Sequence, residues 1–249
     1  MPGRRRLRET AHAGKGASRM QPRCSVMSRR AETIGAFLAN HGWAGATQTP
    51  VAGDASARRY TRLYRPGGTA ILMEDGAGSA GDIRRFVRVA EHLRGRGLSA
   101  PAILAEAADD GVLLVEDLGT AMFDGLVDRD PSAYGRLYSG AIDALAALQP
   151  APFPAGTEAP EAVDLAEWIR PAYDWYRHRF CQRTDAGRSD AVVAELARVL
   201  DRHAGGPRVL SLRDFHAGTL VWLPERDGPA RAGLLDFQDA FATHPAYDL

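Results

Sequence analysis

Two acidic side chains late in the chain, Asp214 and Asp236, are spaced as a chemical site would require. The first lies in Ser211-Leu212-Arg213-Asp214-Phe215-His216-Ala217-Gly218-Thr219, the second in Leu234-Leu235-Asp236-Phe237-Gln238-Asp239. Each follows a short apolar run, and Leu220-Val221-Trp222-Leu223 between them leads into a turn from Pro224 to Pro229. Short strands joined by a hairpin are the expectation, and a hairpin brings Asp214 and Asp236 together. Two carboxylates at strand ends suit phosphoryl transfer. One orients the attacking hydroxyl and takes its proton; the other holds the magnesium ion that bridges the nucleotide phosphates. Either residue alone reads more simply as a turn Asp bonded to its own backbone.

The pair rises above that reading because it has two matching parts. Leu212-Arg213-Asp214 with polar Thr219 five positions on, then Asp236-Phe237-Gln238, parallels the kinase pattern His-Arg-Asp…Asn followed by Asp-Phe-Gly. Upstream, Gly53-Asp54-Ala55-Ser56 precedes Arg58-Arg59-Tyr60 and a hairpin: a strand over Arg59 to Tyr64, a turn at Pro66-Gly67-Gly68, a return strand over Thr69 to Glu74. Such a loop can cover phosphates. Small residues let backbone N–H groups approach the anion, Ser56 donates a hydrogen bond, and Arg58 or Arg59 supplies charge. A solvated edge hairpin with incidental arginines is an equal reading of that stretch. The Walker phosphate loop is absent, since neither Gly-Lys-Ser nor Gly-Lys-Thr occurs.

These residues need elements to hold them. Ser28 can cap a helix with Ile34, Phe37 and Leu38 on one face, ending near Gly42. Asp82 to Arg96 carries Ile83, Phe86, Val87, Ala90 and Leu93 at helical spacing, with Gly97 as a stop. A second hairpin, Ala102 to Ala107 and Gly111 to Val115, turns at Asp109-Asp110-Gly111 and runs out into Glu116-Asp117-Leu118-Gly119. A strand that breaks at a glycine between two lobes can offer backbone groups to a flat heterocycle such as adenine; a charged turn is the equal alternative. Helices follow. Pro131 to Gln149 has a stripe of Tyr134, Leu137, Ala141, Leu145 and Leu148; Leu165 to Phe180 has Trp168, Ile169, Tyr173, Tyr176 and Phe180; Asp190 to His203 has Val193, Leu196, Val199 and Leu200. The aromatic stripe reads as core in preference to a sugar pocket.

Composition bounds the rest. The 249 residues are 45% hydrophobic and 25% charged, as in an ordinary soluble protein. The formal charge of zero hides an asymmetry: residues 1–30 hold eight Arg and Lys15 against Glu9 alone, +8, balanced by −8 over residues 31–249. A nucleic-acid surface is therefore not expected of the folded body. Residues 1–30 read as a disordered basic tail, without the apolar centre of a secretory signal. The two cysteines form no CxxC pair, which suits a reducing cytoplasm, and no run is long and apolar enough to span a membrane.

The ordered set Gly53 to Tyr60, Leu113 to Gly119, Leu212 to His216, Leu235 to Ala240 and Ala246 to Leu249 resembles the aminoglycoside phosphotransferase/choline kinase family. The closer similarity is to bacterial kinases that phosphorylate N-acetylmuramate and N-acetylglucosamine at C1. The resemblance implies an α+β, protein-kinase-like fold with a nucleotide-binding lobe over 31–118 and a helical lobe over 119–249. It implies ATP and Mg2+ as cofactors, Asp214 as base, Asp236 as metal ligand, and nucleotide contacts from Ser56, Arg58, Arg59, Glu116 and Leu118. His216 and Gln238 become sugar-contact candidates, with His216 equally a support for Asp214.

Three departures accompany it. Thr219 stands where a metal-binding Asn is usual. Met73 occupies the place of the phosphate-binding lysine, and the only lysine in the chain is Lys15. The family continues with further helices past the position of Leu249, so weak turnover and an uncovered helical face are expected. A small-molecule sugar or amino-sugar acceptor is the favoured partner, with no nucleic acid and no membrane. The alternatives are a non-catalytic nucleotide binder and an aminoglycoside- or choline-type kinase, whose cationic acceptor Asp239 and Asp248 would serve.

Overall fold

A computed structural model describes residues 22–51, 58–75, 80–150, 152–182 and 186–249. The chain divides into two compact units, Met1–Ala44 and Gly45–Leu249. The expected lobe boundary at 118/119 falls inside the second. In the first unit α1 spans Pro22–Asn40, so residues 22–30, assigned above to a tail, are helical, and Ser28 lies inside the helix instead of capping it. Phe37 and Leu38 are buried, and the helix stops where Gly42 takes a left-handed φ of 76°. Residues 1–21 lie outside the described set.

The second unit begins with a five-stranded antiparallel sheet of order β1-β2-β3-β5-β4: β1 Thr47–Val51, β2 Arg58–Arg65, β3 Gly68–Asp75, β4 Ile103–Ala107 and β5 Val112–Glu116. Both anticipated hairpins are present, turning at Gly67 and Gly111, each with positive φ. Between β3 and β4 runs α2, Ala80–Gly95, whose apolar stripe Ile83, Phe86, Val89, Ala90 and Leu93 is buried. Its capping bond, Leu98 N–H to the Leu93 carbonyl, closes the helix after Gly97.

The helical part contains α3 (Phe123–Arg129), α4 (Tyr134–Leu148), α5 (Ala162–Glu167), α6 (His178–Cys181) and α7 (Ala186–His203). In α4 the expected stripe is buried at Leu137, Ala141, Leu145 and Leu148, whereas Tyr134 is exposed. The expected helix over Leu165 to Phe180 is instead three pieces. α5 ends before Trp168, Pro171 cannot donate the next helical bond, and Ala172–Arg177 winds as a π-helix before α6. Its aromatics are not core: Trp175, Tyr176 and Phe180 are exposed.

Four short strands complete the unit. β6 (Val209–Ser211) pairs with β9 (Phe241–Thr243), and β7 (Leu220–Trp222) pairs with β8 (Ala232–Leu234). One hydrophobic core runs through sheet, α2, α4 and these strands, joining Met73, Ile83 and Phe86 to Leu137, Leu210, Leu234 and Phe237. Burial at about 25 cal/mol per Å2 of apolar surface thus couples the elements above and below Asp236 in one packed mass.

Candidate active site

Asp214 follows β6 and Asp236 follows β8. The two loops run side by side, tied by Leu235 N–H to the Thr219 carbonyl (3.0 Å). The hairpin β7–β8 closes with Leu220 opposite Leu234, which brings the two carboxylates into one electrostatic neighbourhood. Burial, then the Asp236 charge, pushes the Asp214 carboxyl above its ordinary value; Arg213 and His216 pull the other way and Asp239 adds to the rise.

The backbone around both acids is special. Arg213 (φ 71°) and Asp236 (φ 57°) occupy the left-handed region, which costs a non-glycine residue about 1 kcal/mol or more. Asp tolerates it; Arg213 needs holding. Asp248 supplies the hold: its carboxylate accepts from Ser211 Oγ (2.7 Å), Leu212 N–H (2.7 Å) and Arg213 N–H (3.2 Å). The Arg213 guanidinium lies 4.9 Å from the Trp168 ring centroid, and Trp168 and Tyr247 both meet Phe241 edge-on. Sequence reasoning gave Asp248 only to a motif and to a rival pocket. No local signal marks an acid that caps a loop thirty-odd residues earlier.

Thr219 is buried. Its hydroxyl donates to the Asp214 carbonyl (2.5 Å), with the His216 carbonyl also at 3.0 Å, and accepts His216 N–H (3.2 Å). It closes the loop carrying Asp214, with its proton on that carbonyl and one lone pair on His216 N–H. His216 is exposed beside Asp214, and its Nδ1 accepts Gly218 N–H (3.1 Å), a bond that only the tautomer with its proton on Nε2 can make. Gln238 is buried, with Nε2 donating to Asp236 Oδ1 (2.6 Å); its Oε1 has no partner among the described residues. A carboxylate only accepts, so the amide nitrogen must face it. Gln238 lies behind Asp236 as its support.

α2 reaches this site through Phe86, whose ring centroid is 4.8 Å from that of Phe237, itself fully buried. Ser99, after α2, donates Oγ–H to the Ala230 carbonyl and accepts Leu234 N–H through its own carbonyl. The sheet side and the carboxylate loops are thus stitched together.

At the exit of β5, the Glu116 carboxylate is bound by Arg226 (2.6 Å), Ala102 N–H (3.0 Å) and Arg94 (3.4 Å), and its backbone N–H donates to Ala102. Leu118 is buried with Val221 and Leu223, and neither of its backbone polar groups has a hydrogen-bond partner among the described residues. Arg62 on β2 bonds Asp117 Oδ1 (2.9 Å) and the Gly119 carbonyl (3.1 Å); its Nε lies 2.8 Å from Asp117 Oδ2, off the line of a hydrogen bond but within ion-pair range. Of the expected phosphate loop, Ser56 lies outside the described residues. Arg58 and Arg59 part company. Arg58 is largely covered and faces Asp75, while Arg59 is exposed on the opposite face of the sheet beside Glu74.

No cluster of three or more His, Cys, Asp or Glu side chains capable of holding a metal occurs among the described residues. Mg2+ does not need one. It binds through one or two carboxylates plus phosphates and water. Asp236, with one oxygen held by Gln238 and its charge felt at Asp214, fits that requirement.

Comparison with known proteins follows the same lines. Residues 47–249 match the Phosphotransferase enzyme family. The chain belongs to this family. Membership makes it an enzyme of the phosphotransferase class. An N-acetylmuramate/N-acetylglucosamine kinase of Caulobacter vibrioides is 32% identical over 262 residues, covering 90% of this chain and 71% of that protein. A protein of the same name from Pseudomonas aeruginosa is 32% identical over 201 residues, covering 80% of this chain and 57% of its own length. The phosphotransferase thus spans little more than half of the Pseudomonas relative. Among solved structures, aminoglycoside 2'-phosphotransferase-IIIa with GDP superposes at a TM-score of 0.63 and 13% identity, over 88% of this chain and 76% of that one. The streptomycin–ATP complex of APH(2")-IIa gives 0.61 and 12%, over 89% and 73%. These establish the protein-kinase-like α+β fold of the phosphotransferase.

Proposed function

We propose that this phosphotransferase transfers the γ-phosphoryl group of ATP to the anomeric hydroxyl of an N-acetylated amino sugar, in the cytoplasm, as a step in reuse of cell-wall sugars. The observation that carries the reading is the pairing of Asp214 and Asp236 at the ends of two tied loops. The 32% identity to kinases of N-acetylmuramate and N-acetylglucosamine supports the sugar class.

In this reading Leu118, with unspent backbone groups and a buried side chain, receives the base, and Glu116 fixes the strand end that presents it. Asp214 is the base. Its raised carboxyl accepts the acceptor hydroxyl's proton as that oxygen attacks the γ-phosphorus and the β–γ bridging bond breaks. Asp236 would hold Mg2+ in the orientation Gln238 sets, and the ion would neutralise phosphate charge. Thr219 holds the Asp214 loop, and His216 presents Nε2–H at the rim, where it can donate to a sugar oxygen.

The cationic-acceptor alternative loses its acids: Asp248 is committed to Ser211–Arg213, and Asp239 lies 3.5 Å from Arg85. A nucleotide binder without turnover is favoured by one observation, the engaged Thr219 hydroxyl. Incubation with ATP-Mg and, separately, N-acetylmuramate, N-acetylglucosamine, choline and an aminoglycoside decides among the three. Phosphorus NMR is expected to show a sugar 1-phosphate. Product from choline or the antibiotic alone, or ATP binding without any product, contradicts the proposal.

A further inference from the structure

A buried acid that the mechanism above does not use is Asp75, the last residue of β3, only 6% exposed. Burying a carboxylate is costly unless a cation answers it. The register supplies one. Arg58 stands directly across from Asp75 in the β2–β3 pair, with Nε 3.9 Å from Oδ2. Two residues along the same strand, and so on the same face, Tyr60 stands across from Met73, which is 1% exposed and holds the position where kinases carry their phosphate-binding lysine. Tyr60 packs against the core cluster that holds Met73 and Phe237, the neighbour of Asp236, and its hydroxyl feels the charges of both Arg58 and Asp236. This face of β2 therefore looks onto the carboxylate loops. Arg59, whose side chain is 67% exposed, points to the other face.

We propose that Arg58 is the phosphate-gripping cation of this enzyme, carried on β2 one strand away from the missing lysine, and that Asp75 and Tyr60 are the positioning residues that aim it. The inference rests on the kinase reading above. In kinases a lysine on the third strand is held by a carboxylate from the neighbouring helix. Here α2 turns Ile83, Phe86 and Ala90 inward, and the holding acid comes from β3 itself. A guanidinium is well suited to gripping phosphate from this position. It stays charged and carries five N–H donors in a planar fork that can answer a carboxylate and phosphate oxygens at once, whereas an ammonium is a point charge on a flexible stem.

The test is calorimetric titration of ATP-Mg and of adenosine into wild type, Arg58→Ala, Arg59→Ala, Asp75→Asn, Tyr60→Phe and the Arg58→Ala/Asp75→Asn pair. Arg58→Ala is expected to weaken ATP roughly ten- to hundredfold, the range for a lost charged hydrogen bond, while adenosine changes less than twofold. Arg59→Ala should cost at least tenfold less. Asp75→Asn and Tyr60→Phe should each weaken ATP several-fold and spare adenosine, and Asp75→Asn should add nothing once Arg58 is alanine. Equal weakening of ATP and adenosine by Arg58→Ala, or an Arg59→Ala loss as large, overturns the assignment. Additive losses in the pair, or loss of adenosine binding with Asp75→Asn, overturn the positioning role. If the split at Arg58 holds but no sugar phosphate forms, the catalytic reading fails and this one stands. A wild type that binds no ATP overturns both.

Discussion

Replacing Asp248 with alanine tests how the loop carrying Asp214 is held. The carboxylate satisfies three donors: Ser211 Oγ and Leu212 N–H at 2.7 Å, and Arg213 N–H at 3.2 Å. Ser211 is 1% and Leu212 3% exposed, so water does not readily replace the acceptor for those two; Arg213 is exposed and can be rehydrated. Two buried donors left unanswered cost about 1–3 kcal/mol each, so the variant should lose roughly 2–6 kcal/mol. Most of that loss should appear where the donors lie, because Arg213 has a left-handed backbone that the clamp sustains. Urea unfolding reads the stability, and steady-state kinetics read the loop: kcat should fall by more than about tenfold with the KM for ATP within about threefold, as expected when the base is displaced but the nucleotide site is not. Ser211→Ala removes one donor along with its need and one of the two acceptors of Arg213 N–H, which keeps Asp248, and should cost only about 1 kcal/mol. An Asp248→Ala protein within about 0.5 kcal/mol of wild type, with unchanged kcat, refutes the clamp.

Three further expectations follow. A Cβ on Gly233 would meet Leu118 Cδ1 and Leu223 Cδ1 at 3.1 Å and Val221 Cβ at 3.2 Å, so Gly233→Ala should destabilise by about 1–3 kcal/mol and weaken nucleotide binding through Leu118; unchanged binding and melting would count against the packing at Leu118. Asp214 has a folded-state pKa above its unfolded one, so its ionisation opposes folding: the penalty is absent below the unfolded pKa and complete above the folded pKa. Asp214→Asn should therefore melt higher than wild type at pH 7 without ligands, with the gap closing as pH falls through the carboxylate range; a gap that widens on acidification would show the opposite shift. Glu116→Gln leaves Arg226 and Arg94 without their shared anion and should cost about 1 kcal/mol, less in high salt, as read by urea unfolding; a salt-independent loss contradicts the ionic account.

Much of this arrangement is legible in the sequence because it is periodic. The 3.6-residue stripes of α2 and α4, and the Gly67 and Gly111 turns, are local signals that tertiary packing did not override. The Asp214 and Asp236 hairpin is legible for the same reason, since apolar runs and turn residues bracket both acids. What the sequence conceals is facing. Arg58 and Arg59 are adjacent and chemically equal, and only strand register decides which meets Asp75 and which meets solvent. The aromatic segment misleads because helical spacing implies one continuous helix, whereas Pro171 and the π-turn rotate Trp175, Tyr176 and Phe180 outward. Thr219, Gln238 and Asp248 each have the composition of a ligand or a substrate contact. Their bonds to the Asp214 carbonyl, to Asp236 and to the 211–213 backbone exist only once distant segments are brought together.

Asp214, in the mechanism proposed, takes the acceptor's proton beside a nucleotide held by other residues. That division of labour is tested most directly by Asp214→Asn, with ATP-Mg affinity measured by calorimetry and sugar phosphate formation by phosphorus NMR on the same preparation. Affinity should stay within about threefold while transfer falls by about 10²–10⁴-fold, the contribution of a positioned base. Transfer within about fivefold of wild type, or loss of ATP binding in step with activity, would contradict it.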